Sequence, residues 1–212
     1  MIKKLLALFA SAALCAAAPS AHATRIVDTG APNGQAVGAY AFDSADWYAA
    51  QVDFAAASRI DAIFGHVLDG AAGETFHVSL YADDGAGAPG AALQSATAVF
   101  GADGWNGVSG LSGWNVAAGD YWVGLEVWGT DTIGSTSATG ALLDQGAPTP
   151  LADTDFSSAS GADYASTGTP LSIGLRIDAT SLSAVPWPAQ GPLMLYGLLL
   201  LFAFASGRRQ RD

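Results

Sequence analysis

Trp122, Glu126 and Trp128 fall at even spacing in the segment Tyr121-Trp122-Val123-Gly124-Leu125-Glu126-Val127-Trp128. On a strand, residues two and four apart share a face. The two indoles therefore share a side with Glu126 and Gly124, opposite the apolar set Tyr121, Val123, Leu125 and Val127. With the apolar set in a core, the indoles face outward. Indole faces stack on sugar C–H groups, and a carboxylate between them accepts hydroxyl hydrogen bonds. At about 3.3 Å per residue the two indoles stand about 20 Å apart, the length of an oligosaccharide rather than one sugar ring. The bland alternative is that a loop such as 129–169 covers these faces, or that both faces of the strand are buried.

Other chemistries find less to work with. No G-x-S-x-G occurs, since Gly107-Val108-Ser109-Gly110-Leu111 lacks the closing glycine. Glu74 and Glu126 are the only glutamates, and no paired-acid motif of the glycosidase kind accompanies either. His66 and His77 stand eleven residues apart with no thiol nearby, which is not zinc spacing. Calcium prefers carboxylates and carbonyls on loops, so Asp83 with Asp84, and Asp153 with Asp155, are the candidate ligands. They match no EF-hand, and aspartates in turns commonly bond their own backbone. The sequence reads as non-enzymatic, with no catalytic residues and no required cofactor.

The elements that must position these residues are strands. Leu171-Ser172-Ile173-Gly174-Leu175-Arg176-Ile177-Asp178 alternates without a fault, and Phe76–Tyr81 and Ala50–Phe54 alternate as well. Further strands are expected near 60–67, 92–100 and 37–42. The clearest turn is Asp83-Asp84-Gly85-Ala86-Gly87-Ala88-Pro89-Gly90. No sustained helical period appears between residues 24 and 184. Glycines at 101, 104, 107, 110 and 113 recur every third residue, but without the proline and length of collagen. They are expected to form a glycine-permissive surface excursion between strands. Residues 129–169, rich in Gly, Ser, Thr, Ala and Pro, read as a long loop or poorly regular strands. Seven or eight short strands with one wet face imply two antiparallel sheets packed face to face, a jelly-roll-like β-sandwich. An immunoglobulin-type sandwich is the alternative, although no Cys…Trp…Cys spacing supports it.

Both ends carry export chemistry. Lys3 and Lys4, the apolar run 5–18 and the small residues Ala21 and Ala23 form a secretory signal peptide over 1–23, with cleavage leaving Thr24 first. Cys15 follows Leu14, where a lipobox needs a small residue. At the other end, residues 185–207 carry no charge, 193–205 are almost purely apolar, and Arg208, Arg209 and Arg211 follow. An apolar run ending in arginines is a stop-transfer pattern with its basic end in the cytoplasm. Thirteen apolar residues are fewer than the roughly 20 of a usual span, and the arginines can snorkel.

Val185-Pro186-Trp187-Pro188-Ala189, then an apolar helix, then the arginine cluster, resembles a PEP-CTERM sorting signal, nearest its Val-Pro-Leu-Pro-Ala variant. Trp187 departs from that pattern. The resemblance covers 185–212. It implies an exosortase-type membrane protease as partner, an inner-membrane intermediate, and delivery to the cell surface or exopolysaccharide matrix of a Gram-negative bacterium. A plain single-span anchor is the alternative. The segments 80–93 and 118–123 are similar to parts of domains found ahead of such tails, which implies a β-sandwich and no activity.

The expected layout is therefore a signal peptide at 1–23, a β-sandwich domain at 24–178, a linker at 179–184 and a sorting tail with a transmembrane helix at 185–212. Between 24 and 184 there is no cysteine, so no disulfide can staple the fold. Three arginines stand there against eighteen acids, a net charge of −15. Such a field repels nucleic acid and anionic lipid. The leading functional expectation is a non-enzymatic surface or matrix protein, and the alternative is a carbohydrate-binding module using exposed tryptophans.

Overall fold

A computed structural model describes residues 22–30, 39–135, 141–143, 154–158, 164–166 and 173–182. Every regular element among them is a strand. In chain order these are β1 Thr24–Asp28, β2 Tyr40–Phe42, β3 Asp46–Phe54, β4 Ser58–Leu68, β5 Thr75–Asp83, β6 Pro89–Val99 and β7 Gly104–Ser109. There follow β8 Asn115–Val116, β9 Gly119–Glu126, β10 Ala141–Leu143, β11 Thr154–Ser158, β12 Ala165–Ser166 and β13 Leu175–Ser181. Among the described residues no helix is long and apolar enough to cross a membrane.

The strands form two antiparallel sheets. The first runs β1-β13-β4-β10-β2, with β7 and β8 also on β4. β13 and β7 overlap along β4 at residues 62–65, so they occupy its opposite flanks. The second sheet runs β12-β11-β3-β9-β5-β6. Let β1, β3, β4, β5, β6, β7, β9 and β13 be numbered one to eight. The first sheet then contains the order 1-8-3-6 and the second 2-7-4-5. Consecutive strands thus cross from one sheet to the other, except the fourth and fifth, which form a hairpin. This is a β-sandwich-like arrangement held by long-range pairing.

Alternation explains what is buried. Leu175 and Ile177 from one sheet, and Ile173 just before β13, are fully buried, as are Phe76, Val78, Val123 and Leu125 from the other sheet. Burying one such side chain contributes about 1.5–3 kcal/mol, so this layer is the main source of stability in a domain without disulfides. Phe42 meets Phe76 edge-on with centroids 5.5 Å apart, tying short β2 to the centre.

Two boundaries differ from expectation. Residues 101–113 are no surface excursion, because Gly104–Ser109 is β7, paired with β4 from Ala62 to Val67. The glycines hid a strand whose backbone approaches closely. A Cβ at Gly107 would lie 2.1 Å from the Ile63 carbonyl oxygen, and Gly104, Gly110 and Gly113 take positive φ around the strand. The expected linker at 179–184 also starts too early, since β13 continues through Ser181 against Ser58. The chain divides into compact units at 1–181 and 182–212. The signal segment up to Ala21, and the tail with Val185, Pro186, Trp187, Pro188, Ala189, Arg208, Arg209 and Arg211, lie outside the described residues.

Candidate functional site

The outward face of the second sheet is built by register. His77 lies opposite Glu126, Ser79 opposite Gly124 and Tyr81 opposite Trp122. On the far side of β5, Thr97 of β6 lies opposite His77. Alternation puts all of these on the face away from the core.

Glu126 is the centre of this face and is buried, with 1% of its surface exposed. Its Oε2 accepts hydrogen bonds from Ser79 Oγ at 2.6 Å and Trp128 Nε1 at 2.7 Å. Its Oε1 accepts from the Tyr81 hydroxyl at 2.7 Å and from the Tyr164 hydroxyl. A carboxylate offers about four lone-pair sites, and all four are used. Gly124 makes room for this: a Cβ there would lie 2.7 Å from both Glu126 Oε1 and the Tyr164 oxygen. Burial, and then the nearby Glu126 charge, raise both tyrosine hydroxyls well above their ordinary pKa, so they remain donors.

Beside it stands a second group. The Trp128 ring stacks on His77 with centroids 3.9 Å apart. Asp131, whose side chain is 2% exposed, accepts from the Trp128 backbone N–H at 2.7 Å and pairs with His77 Nδ1 at 2.7 Å. With the carboxylate as acceptor, Nδ1 carries the hydrogen, leaving Nε2 to face the Thr97 hydroxyl at 3.3 Å. Trp128 is therefore held by its ring face, its ring nitrogen and its backbone, yet keeps 36% of its surface exposed.

The expected two-indole platform needs correction. Trp122 and Glu126 are buried rather than exposed; of the three, only Trp128 reaches solvent. Trp122 donates from Nε1 to Asp83 Oδ1 at 2.9 Å. β11 and β12 extend this sheet past β3, and Tyr164, immediately before β12, meets Tyr81 edge-on above the face. The segment 129–169 thus supplies cover for the strand, the alternative reading of its outer face.

Asp83 and Asp84 engage the backbone of their own turn. Asp83 Oδ2 accepts from Gly85 N–H, and Asp84 Oδ1 accepts from Ala86 and Ala88 N–H. The bonds from Ala86 and then Ala88 lower the Asp84 pKa. Asp155 lies in β11 opposite Ala49, and Asp153 is outside the described residues. Among the described residues no three His, Cys, Asp or Glu side chains cluster as metal ligands do.

Ser79, Tyr81, Thr97, Asp131 and Tyr164 were not singled out in the sequence. Ser79 and Tyr81 share a face with His77 in the 76–81 alternation, which was the available signal. Their partner across the sheet depends on register, which alternation does not give. The cations lie elsewhere: Arg25, Arg59 and Arg176 all belong to the first sheet, where Arg25 and Arg176 pair with Asp28 and Arg59 with Asp61. No protein-family model matches the chain, and no curated protein matches it.

Proposed function

We propose that this chain is an exported protein of a Gram-negative cell envelope, cut after Ala23, sorted through its 185–212 tail by an exosortase-type protease, and retained at the surface or in the exopolysaccharide matrix. One observation carries the reading. The first strand begins at Thr24, the residue that signal cleavage would leave first, and the last strand ends at Ser181, just before the tail. Among the described residues, the strands lie between the two proposed export signals. The interleaved orders 1-8-3-6 and 2-7-4-5 support a jelly roll as its architecture. The saturated Glu126 carboxylate supports a structural rather than a catalytic role for that acid.

The test is made in the native host. N-terminal sequencing of exported material should begin at Thr24, and intact mass should lack Arg208–Asp212 only when the exosortase is present. Material that retains the tail in wild-type cells would leave a simple anchor instead.

A second reading rests on Trp128 alone. An indole immobilised from three directions and still exposed is a pre-organised stacking surface for a sugar ring. Quenching of tryptophan fluorescence by the host's own polysaccharide, lost in Trp128→Ala, would support it. Equal quenching in that variant would remove it.

A further inference from the structure

The Trp128 indole leaves one side to solvent. One ring face lies on His77 and the Nε1 edge on Glu126, so the exposed 36% falls on the opposite face and the far edge. The face of an indole carries negative potential and attracts a cation placed over it.

The surroundings strengthen that attraction. Glu126 accepts four hydrogen bonds, and each comes from a neutral donor: Ser79, Tyr81, Tyr164 and the indole itself. The carboxylate is solvated by these groups but its charge is not cancelled. Tyr81 and Tyr164 register that charge, which after burial is the next cause holding their hydroxyls protonated. The bond from Nε1 to a carboxylate also pushes electron density into the ring, as linked hydrogen bonds polarise one another. Asp131 places a second carboxylate beside the same stack. His77 is the group that opposes it. Protonated, His77 cancels Asp131 across their 2.7 Å contact and Glu126 remains; neutral, it leaves both carboxylates to act. The described arginines are remote from this face: Arg25, Arg59 and Arg176 stand on the first sheet and pair with aspartates there. Glu126 and Asp131 are buried, so salt screens them less than it screens surface charges.

We propose, resting on the reading of Trp128 as a sugar-stacking surface, that its free face takes a glycan bearing free, protonated amino groups. Charge complementarity selects this ligand. A neutral sugar ring gains only the contact of its C–H groups with the indole. An ammonium group on that sugar adds the pull of the ring face and of the uncancelled Glu126 charge behind it. A uronate meets the same charges with the wrong sign. The net charge of −15 between residues 24 and 184 draws cations toward the whole domain. At Trp128 that general attraction coincides with an immobilised aromatic face, which an amino sugar can use and a simple cation with no ring cannot use as fully.

The test is calorimetric binding to the exported protein of three short probes: a glucosamine trimer, an N-acetylglucosamine trimer and trilysine. The amino trimer should bind about tenfold tighter or more than the acetylated one, the margin expected of a cation–π contact beside a buried carboxylate. Trp128→Ala, checked for native circular dichroism, should erase that margin and leave trilysine binding unchanged. Thr97 is exposed, with its hydroxyl 3.3 Å from His77 Nε2. Thr97→Lys therefore sets a competing ammonium beside the intact stack, and it should weaken the amino trimer but not the acetylated one. Equal binding of the two sugars, lost in Trp128→Ala, would keep the stacking surface and overturn the ammonium preference. Sugars that bind without regard to Trp128, or not at all, would overturn both. A margin that survives Trp128→Ala and Thr97→Lys would be diffuse attraction to an acidic protein, and would overturn the site.

Discussion

Trp128 lies flat on His77, with ring planes 6° from parallel. Both rings answer to Asp131, which holds the imidazole through Nδ1 and the indole through its backbone N–H. The stack is thus fixed by a buried carboxylate, and a neighbouring carboxylate, Glu126, takes the indole nitrogen. Its energetic consequences differ from those of a buried tryptophan on the same strand.

Trp122→Ala should be the more damaging of the two tryptophan truncations. Trp122 is fully buried, so its loss leaves a cavity and costs about 3–5 kcal/mol. Trp128→Ala removes a partly exposed ring and one donor to Glu126, for about 1–3 kcal/mol. Urea denaturation of the two variants gives the order. Equal losses would mean that Trp128 is as much a core residue as Trp122.

Glu126→Gln should destabilise despite its near-identical shape. The amide nitrogen would present hydrogens to Trp128 and Ser79, or to Tyr81 and Tyr164, where an acceptor is needed. Stranding buried donors in this way costs about 3 kcal/mol or more. Tyr164→Phe should cost less alone, and the double variant should fall short of the sum, since both changes remove the same bond. Strict additivity would separate Tyr164 from the carboxylate.

The fold should fail in alkali in a particular window. Burial raises Tyr48, Tyr81 and Tyr164, the last two further raised by Glu126. A raised folded pKa means the folded state favours the protonated phenol. That contribution is complete below the unfolded tyrosine pKa of about 10 and is lost as pH rises beyond it. Tyrosinate absorbance followed with circular dichroism should show Tyr48, Tyr81 and Tyr164 ionising late, together with unfolding. Smooth titration of every tyrosine near pH 10 in a folded protein would contradict this.

Gly107→Ala should destabilise the first sheet. The new methyl would sit 2.1 Å from the Ile63 oxygen, a backbone atom that cannot swing aside. Gly113→Ala has open space around it and is strained only by its φ of 79°. Thermal melts of the two should rank Gly107→Ala as the worse, by about 1–3 kcal/mol, the usual cost of overpacking.

The ladder of core residues was legible because alternation is a local signal. Val123 and Leu125 announced their burial, and so did Ile173, Leu175 and Ile177. The outer face of β9 was not legible. Trp122 and Glu126 alternate as wet residues do, but Asp83 takes the Trp122 nitrogen, and Ser79, Tyr81, Trp128 and the distant Tyr164 close around Glu126. A segment such as 129–169 has no periodicity to reveal that it packs on anything. β7 was missed for the opposite reason. Gly104 and Gly107 suppress the strand signal in sequence, yet Gly107 is what lets the strand approach β4.

The placement of β13 has a mechanical meaning. It lies between β1 and β4, bonded along both flanks, and Thr24 at the start of β1 sits opposite Ala179 near the end of β13. Chain entry and exit therefore share one end of the sheet. A pull on the chain beyond Ser181, opposed by a grip on the far sheet, acts along the axis of β13. Both of its ladders then bear the load in shear, many bonds at once, rather than opening one bond at a time. Such a strand resists extraction by a pull on its C-terminal side.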